Sequence, residues 1–377
     1  MTLSNRILSR SHLTDPARRR LLGAASAGMV AATLGGVMPD GADAKQGSAE
    51  GALRWGIVGT GGIAKAMAPR IIEAAGVALA AVSSRRMETA RAFAAKHAVP
   101  HAFDSWQEML LSDTIDAVYI ATPTSVREEI GVAAARQGKH VLGEKPFANL
   151  ESLERIIAAC RLNGVGFMDG THFPHLFRTR KIREEMREQV GQPWSLASAF
   201  QFDLGDTSNI RYRPALEPYG AIGDAGWYNM RAAVEFMPDD VELVASEAWL
   251  QRGGDHDAAV TGSGLMRFSD GSTSTWHCGF ISGASVQDLR ISGNAGVLWI
   301  DDFVGLKGNE RWRVSQGRET RELDVPFSQH PATSMFENFA HMLGHSERLD
   351  ASARASLRTQ AWLDAAWRSA LENEAKV

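Results

Sequence analysis

Cysteine is scarce: Cys160 and Cys278 are the only two in 377 residues. They are far apart, form no C-x-x-C pair, and sit in helix-like and strand-like surroundings. That excludes a disulfide framework, a zinc ribbon and a dithiol redox centre, and predicts two buried free thiols. No cluster of His, Cys, Asp and Glu has metal-ligand spacing, so no metal is expected, and no G-x-S-x-G elbow points to a serine hydrolase. The formal charge is only −4, which gives no reason to expect nucleic acid or an anionic membrane as partner. No internal repeat is present. What the chain does have is a 44% hydrophobic content, enough for more than one core and for a two-domain soluble enzyme.

The first 44 residues differ in kind. Arg18-Arg19-Arg20-Leu21-Leu22 leads into an uncharged Ala/Gly-rich stretch that ends at Met38, and Ala42-Asp43-Ala44 offers a small-residue cleavage site. The pattern predicts a twin-arginine export signal over 1–44, a periplasmic or exported product, and the twin-arginine machinery as a partner. The stretch barely reaches spanning length and is rich in Gly and Ala, so no stable membrane anchor is expected. Residues 45–52 read as a linker arm. The twin-arginine route carries folded proteins, often with their cofactor already inserted, and a periplasmic enzyme has no soluble nicotinamide pool to draw on.

Leu53-Arg54-Trp55-Gly56-Ile57-Val58 is a short apolar run, followed by Gly59-Thr60-Gly61-Gly62-Ile63-Ala64 and a helix-like stretch from Lys65 to Ala75. Strand, tight turn and helix suit a dinucleotide. Gly59 permits the turn, Gly61 lets the backbone approach a pyrophosphate, Ala64 allows close helix packing, and the helix N-terminus attracts phosphate. Val77 to Val82 supplies the second strand of a βαβ unit. Beyond it, where an Asp or Glu would bond the ribose 2′-hydroxyl, the chain reads Ser83-Ser84-Arg85-Arg86. Ser84, Arg85 and Arg86 suit a 2′-phosphate, so NADP(H) is favoured and NAD(H) possible. Ser84 as a helix cap beside solvated arginines is the plainer alternative.

From 54 to 168 strand-like and helix-like segments alternate: helix at Met87–His97, strand at Ile115–Ala121, helix at Val126–Gln137, strand at His140–Gly143, helix at Leu150–Asn163, strand at Val165–Met168. After Pro193 the pattern changes to β-branched or alternating runs at Ser195–Leu204, Val241–Arg252, Ala258–Phe268, Thr273–Phe280 and Ser285–Ser292. Helical spacing returns at Ser334–Met342 and Ala353–Leu371. The expected fold class is α/β: an N-terminal Rossmann doubly wound parallel sheet over 53–170, and an α+β substrate and oligomerisation domain over 171–345 with a large, mainly antiparallel open sheet. A C-terminal helix over 346–377 is expected to return to the cores.

About 85 residues past the glycine loop stands Glu144-Lys145-Pro146, a lysine where a nicotinamide ring would lie. Asp116-Ala117-Val118-Tyr119-Ile120-Ala121-Thr122-Pro123 forms a strand on the nicotinamide side, and Gly220-Ala221-Ile222-Gly223-Asp224-Ala225-Gly226-Trp227-Tyr228 opens a helix in the second domain. With the glycine loop, these motifs resemble the Gfo/Idh/MocA oxidoreductases over nearly all of 53–370, and the Asp-x-Gly-x-Tyr pattern is similar to the glucose-fructose oxidoreductase and dihydrodiol dehydrogenase branch. The resemblance implies Lys145, Asp224 and Tyr228 as the catalytic group. It implies cofactor contacts from Gly59, Thr60, Gly61, Gly62, Ile63, Ser84, Arg85, Arg86, Thr122, Pro123, Glu144 and Lys145, with a cis Lys145-Pro146 bond. It also implies a sugar substrate and a homodimer or homotetramer.

The chemistry stands independently: alcohol oxidation needs a base for the hydroxyl proton, and a lysine near the positive nicotinamide and a substrate hydroxyl can lower the pKa of a nearby tyrosine. Each residue also has a plain structural reading, Lys145 on the surface, Asp224 as a helix cap and Tyr228 in a core. Thr124-Ser125-Val126-Arg127 and Thr171-His172-Phe173-Pro174-His175 depart from the family pattern. His172, His175 and Arg127 are therefore candidates for substrate contact, the histidines equally so for structural roles, and Arg178 is expected to pair with a carboxylate.

Overall fold

Short runs buried on both faces make the first sheet. β1 (Leu53–Val58), β2 (Val77–Ser83), β3 (His101–Phe103), β4 (Ala117–Ile120), β5 (His140–Gly143) and β6 (Phe167–Asp169) pair in parallel in the order β3-β2-β1-β4-β5-β6. Parallel strands read as unbroken apolar runs because helices cover both faces. Those helices are α1 (Gly62–Glu73), α2 (Met87–His97), α3 (Trp106–Leu111), α4 (Arg127–Arg136) and α5 (Leu150–Leu162). The strand order is doubly wound and reverses between β1 and β4, which opens a crevice beyond their carboxyl ends. This is a computed structural model that describes residues 51–376 except 306, 307 and 309; the expected export signal over 1–44 and the arm to residue 50 lie outside the described residues.

The second half is built on the other periodicity. α6 (Phe177–Gln189) precedes β7 (Pro193–Asp203), and α7 (Trp227–Phe236) precedes β8 (Leu243–Gly253), β9 (Ala258–Phe268), β10 (Thr273–Gly279), β11 (Ile281–Gly293), β12 (Val297–Ile300), β13 (Arg311–Gln316) and β14 (Glu319–Asp324). The sheet runs β14-β13-β12-β11-β7-β10-β9-β8, antiparallel except where β7 meets β10. Along β10 Ser274, Trp276 and Cys278 are buried while Thr275 and His277 face out, the alternation of a sheet with one covered face. The described residues form one compact unit.

Two terminal helices return. α8 (Pro331–Met342) inserts Met335, Phe336 and Phe339 among Trp55 and Tyr119, with Trp55 and Phe336 edge to face at 5.1 Å. Although residues 331–342 fall within the 171–345 segment, their side chains complete the nucleotide-sheet core. α9 (Ser346–Glu374) touches both sheets: Gln360 accepts from the Phe147 amide at 3.0 Å, Asp364 from the Leu150 amide at 2.8 Å, and Ser369 from the Ala248 amide at 3.1 Å.

Some boundaries move for physical reasons. α1 begins at Gly62 rather than Lys65, because the end of the glycine loop already has helical geometry. The expected helix over 126–137 divides into a 3-10 turn, Thr124–Val126, and α4. α3, α6, β3 and β12–β14 had no strong signal: β3 has three residues, and α6 is dominated by charge. Both cysteines are buried and free.

One buried charge docks the halves. Asp169, at the end of β6, accepts from Arg231 of α7 at 2.6 Å, and Arg231 also holds Glu235 at 2.7 Å. Burial opposes ionisation of Asp169, but Arg231 and the Ser356 hydroxyl outweigh it and hold the carboxyl below its usual 3.8. That contribution to stability is present above the unfolded pKa and lost as pH falls through the lower folded value. Arg231→Met leaves two acids buried without their shared cation, so urea unfolding should show a loss of about 3–5 kcal/mol.

Candidate active site

At the β1–β4 crevice Gly59 has φ +104°, and a side chain there would place Cβ 2.9 Å from the Ala121 carbonyl oxygen. Only glycine fits both constraints. Gly61 and Gly62 are exposed, and a Cβ on either would meet nothing within 4 Å. They line an open cradle at the N-terminus of α1, where Gly61 supplies no side-chain cap and leaves the first amides for an anion. Ser83 Oγ and Thr122 Oγ1, at the carboxyl ends of β2 and β4, are buried polar atoms without partners among the described residues. These orphans and the uncapped cradle fit a dinucleotide. Ser84 is not the cap of α2, a place taken by Arg86 without a side-chain bond; its hydroxyl faces Thr60 Oγ1 at 3.3 Å, beside the exposed side chains of Arg85 and Arg86.

Directly after β5 the chain turns through Glu144 and a cis Lys145-Pro146 bond. Tyr119 donates to Glu144, whose other oxygen accepts from the Lys145 amide at 3.3 Å. Burial raises the Glu144 carboxyl above its usual range despite Lys145 and Tyr119. Lys145 Nζ reaches Asp224 twice, 2.7 Å to Oδ1 and 2.8 Å to the main-chain oxygen. That second bond depends on the backbone, because Ile222–Gly226 is a π-helical turn; such turns interrupt the ordinary ladder and recur at functional sites. The turn fits by missing side chains. A Cβ on Gly223 would strike Tyr219 at 2.7 Å and Pro146 at 3.0 Å, and one on Gly262 would strike Ile222 at 2.4 Å.

One turn further, Tyr228 places its ring 4.7 Å from Lys145 Nζ, a cation–π distance. Lys145, Asp224 and Tyr228 are thus brought together. In the free protein, burial, with the Glu144 and Asp224 carboxylates, holds the Tyr228 phenol well above its usual 10, so Lys145 alone does not lower it. Asp224 stays ionised. Burial opposes its charge, but Lys145 and Arg211 outweigh it and hold the carboxyl well below the usual range.

Arg211 had not been singled out, and its Nε lies 2.8 Å from Asp224 Oδ2. It sits in a 3-10 turn, Ile210–Tyr212, too short to leave a periodic signal, and the only cue was its neighbourhood to the Gly220–Tyr228 motif. His172 lies at the site, with Nε2 3.3 Å from Tyr228 Oη. Three other candidates have structural employment. Arg127 is buried, bonding the Thr122 carbonyl at 3.0 Å, the Pro146 carbonyl and Thr124 Oγ1, with Glu217 3.7 Å away, and these bonds brace the Lys-Pro turn. His175 Nδ1 is 3.1 Å from Asn338 Nδ2 of α8. Arg178 is fully buried, donates to the Asp302 carbonyl at 2.6 Å, and is pushed down to about 10 by burial against the pull of Asp302 and Glu310.

Residues 53–171 match the family model described as "Oxidoreductase family, NAD-binding Rossmann fold", and 179–299 match the GFO/IDH/MocA C-terminal domain. The chain belongs to the Gfo/Idh/MocA oxidoreductase family. It is an NAD(P)-dependent oxidoreductase of that family. A scyllo-inositol 2-dehydrogenase (NADP(+)) of Bacillus subtilis is 32% identical over 55% of this chain, which spans 65% of that relative. A dTDP-3,4-didehydro-2,6-dideoxy-alpha-D-glucose 3-reductase of Streptomyces antibioticus is 31% identical over 71% of this chain and 81% of its own. Among solved structures, a 3-ketoreductase from Actinomadura kijaniata in complex with NADP and TDP-benzene superposes with TM-score 0.77 at 26% identity, covering 84% of this chain and 98% of that one.

Because Tyr228 is held protonated, titration of the free protein should show no tyrosinate absorbance lost in Tyr228→Phe at any pH below about 10. The same variant should fold, bind nucleotide normally, and turn over about 10²–10⁴-fold more slowly. An ordinary rate would remove Tyr228 from the proton path.

Proposed function

We propose that this protein is an exported sugar oxidoreductase that transfers hydride between tightly bound NADP(H) and a cyclic aldose or related polyol or carbonyl compound. A second sugar resets the cofactor in a ping-pong cycle. The observation that carries the reading is the Lys145–Asp224 contact of 2.7 Å beside Tyr228, at the carboxyl edge of a sheet whose glycine cradle fits a dinucleotide. NADP in the names of the scyllo-inositol dehydrogenase and the 3-ketoreductase complex supports the phosphate-bearing cofactor, as do Ser84, Arg85 and Arg86. The sugar-derived substrates in the relatives' names support the substrate class. Export and cofactor retention rest on the arginine-led N-terminus, and a homodimer or homotetramer on the open face of the second sheet.

A bound nicotinamide would supply the hydride donor or acceptor, and its oxidised ring a positive charge beside Tyr228. The chain supplies the rest. Lys145 has three N–H donors, two are spent on Asp224, and the third is left for a substrate oxygen. Asp224 is gripped on both oxygens and ionised, so it anchors Lys145 and carries no proton. Tyr228 carries the proton, giving it as the phenol to a carbonyl oxygen in reduction and receiving it from a hydroxyl in oxidation as the phenolate, the form that the positive charge of a bound oxidised nicotinamide would favour. Their low exposure, 8% for the Lys145 side chain and 16% for Asp224, excludes most water and strengthens each charge.

The test is to purify the mature protein without added cofactor, identify released nucleotide by mass spectrometry, and follow reduced-nicotinamide absorbance while sugars are added. Stoichiometric NADP(H), with absorbance that rises with one sugar and falls with another, is the expected result. An empty protein that needs added cofactor would make it an ordinary dehydrogenase; bound NAD with aglycone release and no lasting absorbance change would make it a hydrolase. Arg85→Ala should narrow the preference for NADP over NAD by roughly tenfold, the worth of one charge-assisted bond; unchanged affinities for both would remove Arg85 from the cofactor site.

A further inference from the structure

We propose that His172 is a neutral, tautomer-fixed positioning residue whose Nε2–H donates to Tyr228 Oη and so aims the phenolic proton at the substrate. The inference rests on the oxidoreductase reading and assigns a new role within that site. His172 stands just past β6, only 6% exposed, with Nε2 3.3 Å from Tyr228 Oη. Its other nitrogen, Nδ1, is buried and has no partner among the described residues.

That asymmetry selects the tautomer. A buried N–H without an acceptor is rarer and costlier than a buried lone pair without a donor. The proton therefore belongs on Nε2, where a partner exists, and the bare lone pair on Nδ1. Charge on the ring is disfavoured from every side that matters. Burial first, then His330, Lys145 and His175, push His172 down to about 3, and Asp169 opposes them only weakly. The His330 ring lies 6.2 Å away, its Nδ1 accepting from the Ala332 amide at 3.1 Å to cap α8.

With Nε2–H pointing at it, Tyr228 Oη has an accepted bond on one side and its own O–H free on the other. When carbonyl reduction proceeds, the Tyr228 O–H bond breaks, the proton joins the substrate oxygen, and the electron pair stays on the phenolate. A bound reduced nicotinamide would supply the hydride that the carbonyl carbon takes. The Nε2–H then faces the phenolate directly, with Lys145 on the ring face.

Nitrogen NMR of histidine-labelled protein reads the tautomer without any turnover. The expected spectrum at neutral pH has His172 protonated on Nε2 alone, identified by the signal lost in His172→Gln. A proton on Nδ1, or a doubly protonated ring, overturns the proposal. Two variants separate positioning from packing, both checked for melting temperature and nucleotide binding. His172→Gln can place an amide N–H near the Nε2 position, and His172→Asn near the Nδ1 position. The asparagine variant should lower the reduction rate about 10- to 100-fold and raise the apparent pKa of the Tyr228 limb, with the glutamine variant restoring most of both. Equal rates and pH profiles in both variants and wild type would overturn it. Absence of hydride exchange with any sugar would sink the functional reading while leaving the tautomer to the spectrum.

Discussion

A carboxylate at the end of the last parallel strand has to be neutralised, and that requirement organises the molecule. Asp169 is almost fully buried, and Arg231 meets it from α7 at 2.6 Å. Arg231 lies three residues beyond Tyr228, so satisfying the ion pair also sets the rotation of α7. Tyr228 then has no choice but to face the turn after β5. Lys145, in the turn after β5, and Asp224, in the π-helical turn before α7, complete the closure, and α9 adds Ser356 to Asp169 and Gln360 to the segment after Pro146. A charge that would be costly alone becomes a register pin between two sheets.

The electrostatics of the site follow from sharing. Asp224 satisfies Lys145 with one oxygen and Arg211 with the other, while Glu144, deeper and raised by burial, is held by Tyr119. Neighbouring carboxyls thus differ in their readiness to take a proton, and Asp224, which touches the Lys145 ammonium, is the one that will not. The phenol, placed against both acids, becomes the group that holds the proton. Environments that push titratable groups apart assign the roles that residue type alone leaves open.

Much of this was legible in the residues. Gly59, Gly61 and the apolar run before them announce a nucleotide crevice because that geometry tolerates few alternatives, and β5 and β9 have the bounds that apolar content and alternation indicate. Lys145, Asp224 and Tyr228 were named through motif order, and the structure brings them into contact. Local pattern could not supply partners distant in sequence. Arg127 read as a pocket residue because its bonds to Pro146 and Glu217 depend on tertiary approach. Arg211 went unnoticed for the same reason. The phenol pKa of the free protein was not legible because burial, its first cause, depends on tertiary packing that no motif displays. β3, α3 and α6 were too short or too charged to leave a periodic trace.

The π-helical turn at Ile222–Gly226 is seated in spaces that exist only because Gly223 and Gly262 lack side chains. A site held by vacancies cannot be adjusted by degrees: the smallest possible enlargement at either glycine collides with the ring of Pro146 or the side chain of Ile222. Variation toward new substrates would therefore be channelled away from the reacting centre. It would fall on the exposed residues 205–208 that precede Arg211, where a changed side chain meets mostly solvent.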